Sequence, residues 1–166
     1  TTGRSKGVRL SHRNVYTNGQ QCAIALGMRG EDVYIHAAPM FHSADLLGTG
    51  FTLLGAAHIY LPQFTPEAML GAIERHRVTF AFMAPTMLIM MLQDPKFTRF
   101  DVSALRHIFY GSSPMPVEWI RRAMEGFPNA QLQQGYGLTE TSPILTTLDA
   151  DQHEAAIETG ILERLK

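Results

Sequence analysis

The sequence predicts an α/β fold in which layered βα units form a mostly parallel sheet flanked by helices. Short runs of β-branched and aromatic residues alternate with helical patterns, and this alternation is typical of βα units. The apolar fraction of 45% and the charged fraction of 17% are those of an ordinary globular protein. At 166 residues the chain is long enough to bury one core. We therefore expect a single domain over residues 1–166.

Five apolar runs are the candidate strands of this sheet. They span residues 33–38, 56–61, 78–83, 105–110 and 131–134. Helix-start signals stand between them at Ser11, Thr65-Pro66, Pro85 and Pro116. Ser11 and Thr65 supply side-chain oxygens for N-caps, and proline is favoured at the first helical position. The pattern weakens in the tail after residue 149.

Charge and cysteine content exclude several classes of partner. Lys plus Arg number 14 against 15 for Asp plus Glu, so no overall basic field favours nucleic acid or an anionic membrane. No run of 18 apolar residues could span a bilayer, and the single cysteine, Cys22, has no internal disulfide partner. We expect a cytoplasmic protein with no membrane span and no nucleic-acid partner. The oligomeric state stays unknown from the sequence.

Four loops that leave the predicted strands hold the residues of chemical interest. They span residues 39–43, 84–86, 111–114 and 135–140. Parallel sheets bind ligands beyond the carboxyl ends of their strands, where successive loops converge. We therefore expect all four loops to face one crevice.

The last of these loops is the most informative. Tyr136 stands between Gly135 and Gly137, so its ring has little steric cover and is suited to stack on a nucleobase. Thr139 offers a hydroxyl to a phosphate oxygen, and Glu140 offers a carboxylate to Mg²⁺, which prefers oxygen ligands. The alternative is a surface loop that ends in a helix cap at Thr139.

Two further stretches are suited to hold a nucleotide. Gly111-Ser112-Ser113-Pro114 follows an apolar strand, and its backbone is free to approach a flat ligand, although it is otherwise a simple strand-to-helix turn. Residues 1–7 combine hydroxyls, glycines and Lys6, groups that surround an anion. Lys6 precedes Gly7, whereas the common P-loop places its lysine after the second glycine. The alternative for residues 1–7 is a solvated turn or a cloning scar.

These motifs carry a resemblance to a known family. Residues 1–14 resemble the phosphate loop of the acyl-adenylate-forming (AMP-binding) superfamily, and residues 136–140 resemble its second hallmark. Residues 111–114 resemble its adenine-side loop, and residues 39–42 resemble a fourth motif. The whole most resembles an acyl-CoA synthetase, or fatty-acid-CoA ligase. This implies that the chain is the central portion of the large AMP-binding domain, with the small C-terminal domain absent.

The resemblance implies a role for each motif residue. Those that would hold the β- and γ-phosphates of ATP are Thr1, Thr2, Gly3 and Lys6. Those that would line the nucleotide site are Gly111, Ser112, Ser113, Gly135 and Gly137. Tyr136 would stack on adenine, Thr139 would bind the α-phosphate and Glu140 would ligate Mg²⁺. His42 would gate the acyl pocket near the substrate carboxylate, although a lone loop histidine is more often structural.

The implied reaction uses ATP, Mg²⁺, coenzyme A and a small-molecule carboxylic acid. A carboxylate oxygen attacks the α-phosphorus, pyrophosphate leaves, and the thiol of coenzyme A then takes the acyl group. Phenylalanines and methionines between residues 80 and 91 would either wall an apolar acyl tunnel or belong to the core, and the first reading favours a fatty or other apolar acid.

Three expectations about activity remain open at this stage. The family's ribose-binding aspartate and C-terminal lysine are not assigned to any residue after Glu140, so the 166 residues alone are expected to be inactive. The first alternative to a coenzyme A ligase is an adenylation domain that loads a carrier protein. The second is a nucleotide-binding module without catalysis.

Overall fold

A six-stranded sheet forms the centre of the structure, a computed structural model that describes residues 3, 4 and 6–159. Its strands are β1 (Val33–His36), β2 (Ala57–Tyr60), β3 (Phe80–Met83), β4 (His107–Gly111), β5 (Gln131–Gly137) and β6 (Ile144–Leu148). They lie in the order β2-β1-β3-β4-β5-β6. Neighbouring strands are parallel except for β6, which is antiparallel to β5. The predicted α/β fold with a mostly parallel sheet is confirmed.

Helices connect the strands and cover both faces of the sheet. They are α1 (His12–Ala25), α2 (Gly48–Leu54), α3 (Pro66–His76), α4 (Pro85–Gln93), α5 (Val117–Gly126) and α6 (Ala150–Glu158). Ser11 caps α1 through a capping box with Asn14, and Thr65 caps α3, as the sequence predicts. Pro116 is the residue before α5 rather than its first residue.

The structure corrects the sequence-based boundaries in several places. Strand β5 continues to Gly137, three residues beyond the predicted end, and so carries part of the proposed nucleotide loop. Strands β1 to β4 differ from their predicted spans by one or two residues at one or both ends. Helices α2 and α6 and strand β6 were not predicted. The weak pattern after residue 149 nevertheless forms a nine-residue helix.

Strand alternation divides the core into two clusters, one on each face of the sheet. Tyr34, Phe80 and Phe109 point to the side of α1 and α2, where they pack with Cys22, Leu26 and Phe51. Their strand neighbours point to the other side, toward α3, α4 and α5, and the cluster there includes Ile35, Ala81, Ile108, Met69, Ile73, Leu88 and Ile120. The sheet is therefore buried on both faces, as parallel sheets are.

Asp32 joins the amino ends of three strands. Its carboxylate accepts hydrogen bonds from Arg106 Nε at 2.8 Å, from the Thr79 hydroxyl at 2.7 Å and from the Arg29 amide at 2.8 Å. Asp32, Thr79 and Arg106 each directly precede a strand, namely β1, β3 and β4. This network fixes the edge of the sheet opposite to the carboxyl ends.

None of the helices at residues 3, 4 and 6–159 has the length and hydropathy that crossing a membrane requires.

Candidate functional site

A cleft of about 370 Å³ opens where β3, β4 and β5 end. We call it the main cleft, and its lining residues are His42, Phe82, Phe109, Gly111, Ser112, Gly135, Gly137, Leu138, Thr139, Pro143 and Ile144. Three of the four predicted loops contribute to it. The loop 84–86 does not, because Pro85 is buried as the first residue of α4. The expectation that all four loops face one crevice is therefore wrong for that loop.

Close backbone contacts explain the glycines of the main cleft. A Cβ atom at Gly111 would collide with the carbonyl oxygen of Gly135, and one at Gly135 would collide with the ring of Phe109. A Cβ atom at Gly137 would collide with the carbonyl oxygen of Pro143. Strands β4 and β5 can therefore end side by side only with glycine at these positions. Ser112, which follows, adopts the left-handed conformation with φ of 74°, a strained geometry that is common at binding sites.

A second cavity adjoins the main cleft on the side of Tyr136. It measures about 800 Å³, and residues 112–117 and 134–138 line it. Ser112, Gly135, Gly137 and Leu138 line both spaces. The side chain of Tyr136 is 59% exposed, so its ring is open for a flat partner to stack against. Ser113 lines only this second cavity.

Thr139 and Glu140 begin a single 3₁₀ turn, Thr139–Thr141, rather than an α-helix. The hydroxyl of Thr141 accepts a hydrogen bond from the Leu138 amide at 2.9 Å, which fixes the entry to this turn. Thr139 lines the main cleft, and Glu140 is exposed directly beside it in the chain. The alternative of a helix cap at Thr139 does not describe this geometry, because strand β6 follows the turn.

His42 lies in the turn that follows β1 and lines the main cleft. Its amide donates to the carbonyl oxygen of Pro39 at 2.9 Å, and its own carbonyl oxygen accepts from the Asp45 amide at 3.0 Å. The neighbouring Phe41 side chain is 94% exposed. His42 is thus held by the backbone of its own loop.

The amino-terminal motif is only partly described. Thr1 and Thr2 lie outside the described residues, as does Ser5. Gly3 and Lys6 are exposed, and neither lines the main cleft or the second cavity. The structure therefore does not bring these two predicted phosphate ligands to the residues of the other motifs.

The candidate acyl-tunnel residues separate into core and cleft. Phe82 lines the main cleft. Phe80, Met83 and Met91 are buried in the two core clusters, and Met90 is 49% exposed. Most of this group therefore follows the alternative that the sequence left open, namely ordinary core packing.

Residues 37–47 connect β1 to α2, and we call them the His42 loop. The sequence analysis did not predict a cluster of polar side chains at this loop. His36 Nδ1 lies 2.6 Å from Asp45 Oδ1, and His36 Nε2 lies 2.7 Å from His58 Nδ1. His58 Nε2 lies 3.3 Å from the Thr52 hydroxyl oxygen. We call these four residues the His36 cluster. Strand register offers the signal: Tyr34 pairs with His58, so His36 and His58 lie on the same face of adjacent strands.

Neither Cys22 nor the possible metal-ligating side chains of the described residues provide a further candidate site. Burial raises the pKa of the Cys22 thiol to about 11, which makes Cys22 a poor nucleophile. Within residues 3, 4 and 6–159, no three side chains of the His, Cys, Asp or Glu types form a group that could hold a metal ion.

Known proteins are similar to this chain over most of its length. The family model described as AMP-binding enzyme matches residues 1–162. A 4-coumarate–CoA ligase of Oryza sativa subsp. japonica is 37% identical over 153 residues, which cover 88% of this chain and 28% of that protein. The long-chain-fatty-acid–CoA ligase of Bacillus subtilis (strain 168) is 34% identical over 148 residues, which cover 87% of this chain and 26% of that protein. The chain thus spans about a quarter of the length of these relatives.

Solved structures share the fold. The inhibitor-bound N-terminal domain of FACL13 from Mycobacterium tuberculosis superposes with a TM-score of 0.85 and 31% identity, covering 96% of this chain and 39% of that one. The o-succinylbenzoate coenzyme A synthetase of Bacillus subtilis, in complex with ATP and magnesium ion, superposes with a TM-score of 0.81 and 29% identity. That match covers 95% of this chain and 32% of the synthetase.

Proposed function

Because the chain belongs to the family of AMP-binding enzymes, we propose that it forms part of the active site of an AMP-forming acyl-CoA ligase. In the first step a carboxylate oxygen attacks the α-phosphorus of ATP, the bond from that phosphorus to the bridging oxygen breaks, and pyrophosphate leaves. The thiol of coenzyme A then attacks the acyl carbon of the adenylate, and AMP leaves.

One observation carries this proposal, namely the convergence of three loops on the main cleft beside an open tyrosine ring. His42, Ser112 and Thr139 come from three different loops and line the same space. Adenylation brings two anions together, so the protein has to position the reactants and offset their charge more than supply a nucleophile. A polar cleft at the carboxyl edge of a parallel sheet suits that task.

The proposed roles follow the lining of the two spaces. The ring of Tyr136 stacks on adenine, whose edge faces Gly111, Ser112 and Ser113. The hydroxyl of Thr139 binds the α-phosphate, and His42 stands at the carboxylate of the acid. Thr1, Thr2, Gly3 and Lys6 hold the outer phosphates. Gly3 and Lys6 do not line the cleft in this structure, so their role rests on the resemblance of residues 1–14 to the phosphate loop.

Glu140 is the proposed ligand of the magnesium ion that accompanies ATP. Its side chain is exposed and follows Thr139, which lines the main cleft, so phosphate oxygens bound there can complete the coordination. When bound, the ion would offset the negative charge of the phosphates. The solved synthetase in complex with ATP and magnesium ion has a similar fold, and this similarity supports the proposal.

The acid is proposed to be apolar. The relatives are named for 4-coumarate and for long-chain fatty acids, whose acyl parts consist mostly of hydrocarbon. Phe82 and Phe109 place two aromatic rings in the lining of the main cleft. A cytoplasmic location stays a prediction.

Exchange of labelled pyrophosphate into ATP tests the proposal in the protein encoded by the full reading frame. We expect exchange only when a carboxylic acid is present. Glu140→Gln should lower the rate at least about tenfold, because a charge that positions the phosphates is lost. Glu125→Gln, an exposed carboxylate on α5, is the matched control and should leave the rate unchanged.

The outcomes of this assay also separate the alternatives. Exchange that does not depend on an acid, or ATP binding without exchange, would favour a non-catalytic nucleotide-binding module. Acyl transfer to a carrier protein but not to coenzyme A would favour an adenylation domain. The same assay on the isolated 166 residues tests the expectation that they are inactive.

A further inference from the structure

We propose that the His36 cluster is a positioning device that holds the His42 loop at the main cleft, and that it does so while His36 and His58 share an additional proton. This inference rests on the function proposed above, since it concerns the placement of His42 beside the substrate carboxylate.

Asp45 belongs to the His42 loop and connects this loop to the sheet. Its amide donates to the carbonyl oxygen of His42 at 3.0 Å, and its carboxylate lies 2.6 Å from Nδ1 of His36. His36 is the last residue of β1 and is only 5% exposed. The position of the loop therefore depends on whether the bond between Asp45 and His36 is kept.

The number of protons in the cluster follows from its hydrogen bonds. An ionised carboxylate only accepts, so His36 Nδ1 carries a hydrogen and donates it to Asp45. One hydrogen lies between His36 Nε2 and His58 Nδ1, which are 2.7 Å apart. If it belongs to His58, both rings are neutral. If it belongs to His36, that ring is an imidazolium, and His58 is left with its hydrogen on Nε2.

Thr52 distinguishes these two states. Its hydroxyl lies 3.1 Å from the carbonyl oxygen of Gly48 and 3.3 Å from His58 Nε2, so when it donates to that carbonyl oxygen it accepts from His58. In that arrangement His58 carries hydrogen on Nε2, and its Nδ1 accepts from His36. The bonds are all satisfied together when His36 is the imidazolium, a state in which its charge faces the carboxylate of Asp45.

The surroundings of His36 favour this state. The titratable groups that face it are Asp45, His58, Tyr34 and Tyr60. Burial, and then the coulombic effect of His36, lower the pKa of His58, and the negative charge of Asp45 offsets part of this. Burial also raises the pKa of Tyr34, so that phenol stays neutral.

Stacking and a glycine fix the ring of His36 in place. The ring of Tyr60 stacks on it with centroids 4.5 Å apart and planes 9° apart. On another side a Cβ atom at Gly48 would lie 2.7 Å from His36 Cε1, so only glycine admits the ring there. The imidazole therefore has little freedom to turn away from Asp45.

The test is the pH profile of acid-dependent pyrophosphate exchange by the full-length protein. For the wild type we expect kcat/KM for the acid to fall on the alkaline side, as the cluster loses its proton. Asp45→Asn keeps the shape but removes the charge, so this alkaline limb should move to lower pH by at least about one unit. The KM for ATP should stay within about twofold. His76→Gln, an exposed histidine on α3, is the control and should reproduce the wild-type profile.

If Asp45→Asn does not fold, a second pair of variants tests whether the His36 cluster sets the alkaline limb. His58→Gln keeps an acceptor for His36 and should retain the alkaline limb, whereas His58→Phe removes it and should move the limb to lower pH. A uniform loss of rate with an unmoved limb would mean a merely structural role and would overturn the inference.

Histidine ¹⁵N NMR separates failure of this inference from failure of the proposed function. At pH 7 we expect both ring nitrogens of His36 to be protonated in the wild type. Acid-dependent exchange together with a neutral His36 would refute the positioning device alone. A doubly protonated His36 without any acid-dependent exchange would refute the proposed function instead.

Discussion

Tyr136 offers the most direct test of nucleotide binding at the scale of one residue. Stacking of a base on an aromatic ring contributes about 1–3 kcal/mol, so Tyr136→Ala should raise the KM for ATP about tenfold, whereas Tyr136→Phe should keep it near the wild-type value. Leu145→Ala is a matched control, because Leu145 has the same exposed fraction, 59%. Steady-state kinetics with ATP as the varied substrate measure the effect. An unchanged KM for ATP in Tyr136→Ala would rule out stacking of adenine on Tyr136.

His107 is a second residue with a measurable consequence. It is 3% exposed and stacks on Phe80 with ring centroids 4.4 Å apart. Burial, and then the charge of Arg106, lower its pKa from 6.5 to about 4. Between these pH values His107 is therefore protonated in the unfolded chain and neutral in the folded protein.

Folding stability should accordingly fall as the pH drops from 6.5 toward 4. The contribution of His107 to this loss is about 3 kcal/mol at most. His107→Phe keeps the stack on Phe80 and removes the buried polar atoms, so it should be at least as stable at pH 7 and should lose less stability in acid. Urea unfolding at pH 7 and pH 4.5 measures both effects. An equal acid loss in wild type and variant would show that His107 titrates normally.

At the scale of elements, tertiary contacts decide the parts that the sequence did not predict. Helix α2 contains Gly48 and Gly50, which lower helix propensity. A Cβ atom at Gly50 would lie 2.6 Å from Met28 Sδ and 3.0 Å from the carbonyl oxygen of Gly19, so glycine at this position lets α2 approach α1 closely. Local propensity is thus overridden by close helix packing, which no periodicity in the sequence reveals.

Strand β6 was missed for a related reason. Ile144–Leu148 has five residues and follows a turn, so its pattern is weaker than those of the buried strands. It forms because it can pair with β5 and because Asn18 of α1 binds it. The Asn18 amide group donates to the carbonyl oxygen of Ile144 at 2.8 Å. The sequence alone does not show that residues 126 positions apart meet.

The Asp32 network predicts a further effect at this scale. Burial by itself would raise the pKa of Asp32, but hydrogen bonds from Arg106 and Thr79 outweigh it and lower the pKa. Asp32→Asn should cost about 3 kcal/mol or more, because Arg106 would lose its buried partner. Lys96→Gln removes only an exposed ion pair with Glu67 and should have little effect.

The pH dependence of this effect has a definite sign. A carboxyl with a lowered pKa stabilises the fold above its ordinary range, and that stabilisation is lost as the pH falls below about 3.8. The loss lies at lower pH than that of His107. Urea unfolding of wild type and Asp32→Asn at pH 7 and pH 3 should therefore show a smaller difference at pH 3. A difference that does not depend on pH would contradict the assigned ion pair.

At the scale of the whole molecule, the sequence predicts the fold class well and the site in part. Five strands, four helix starts and three of the four cleft loops follow from local patterns, because turns and caps are encoded by a few adjacent residues. The His36 cluster could not be derived in the same way. It joins residues of β1, β2 and α2 and the His42 loop, and its meaning depends on distances that only the folded chain supplies.

The chain spans about a quarter of its curated relatives, so its two spaces are tested best in the full-length protein. A crystal structure of that protein with ATP and magnesium is the most direct measurement. We expect adenine against the ring of Tyr136, the α-phosphate within hydrogen-bond distance of the Thr139 hydroxyl, and the ion at Glu140. A nucleotide bound instead at the opposite edge of the sheet, in the cleft lined by Arg29 and Arg106, would contradict the proposed site.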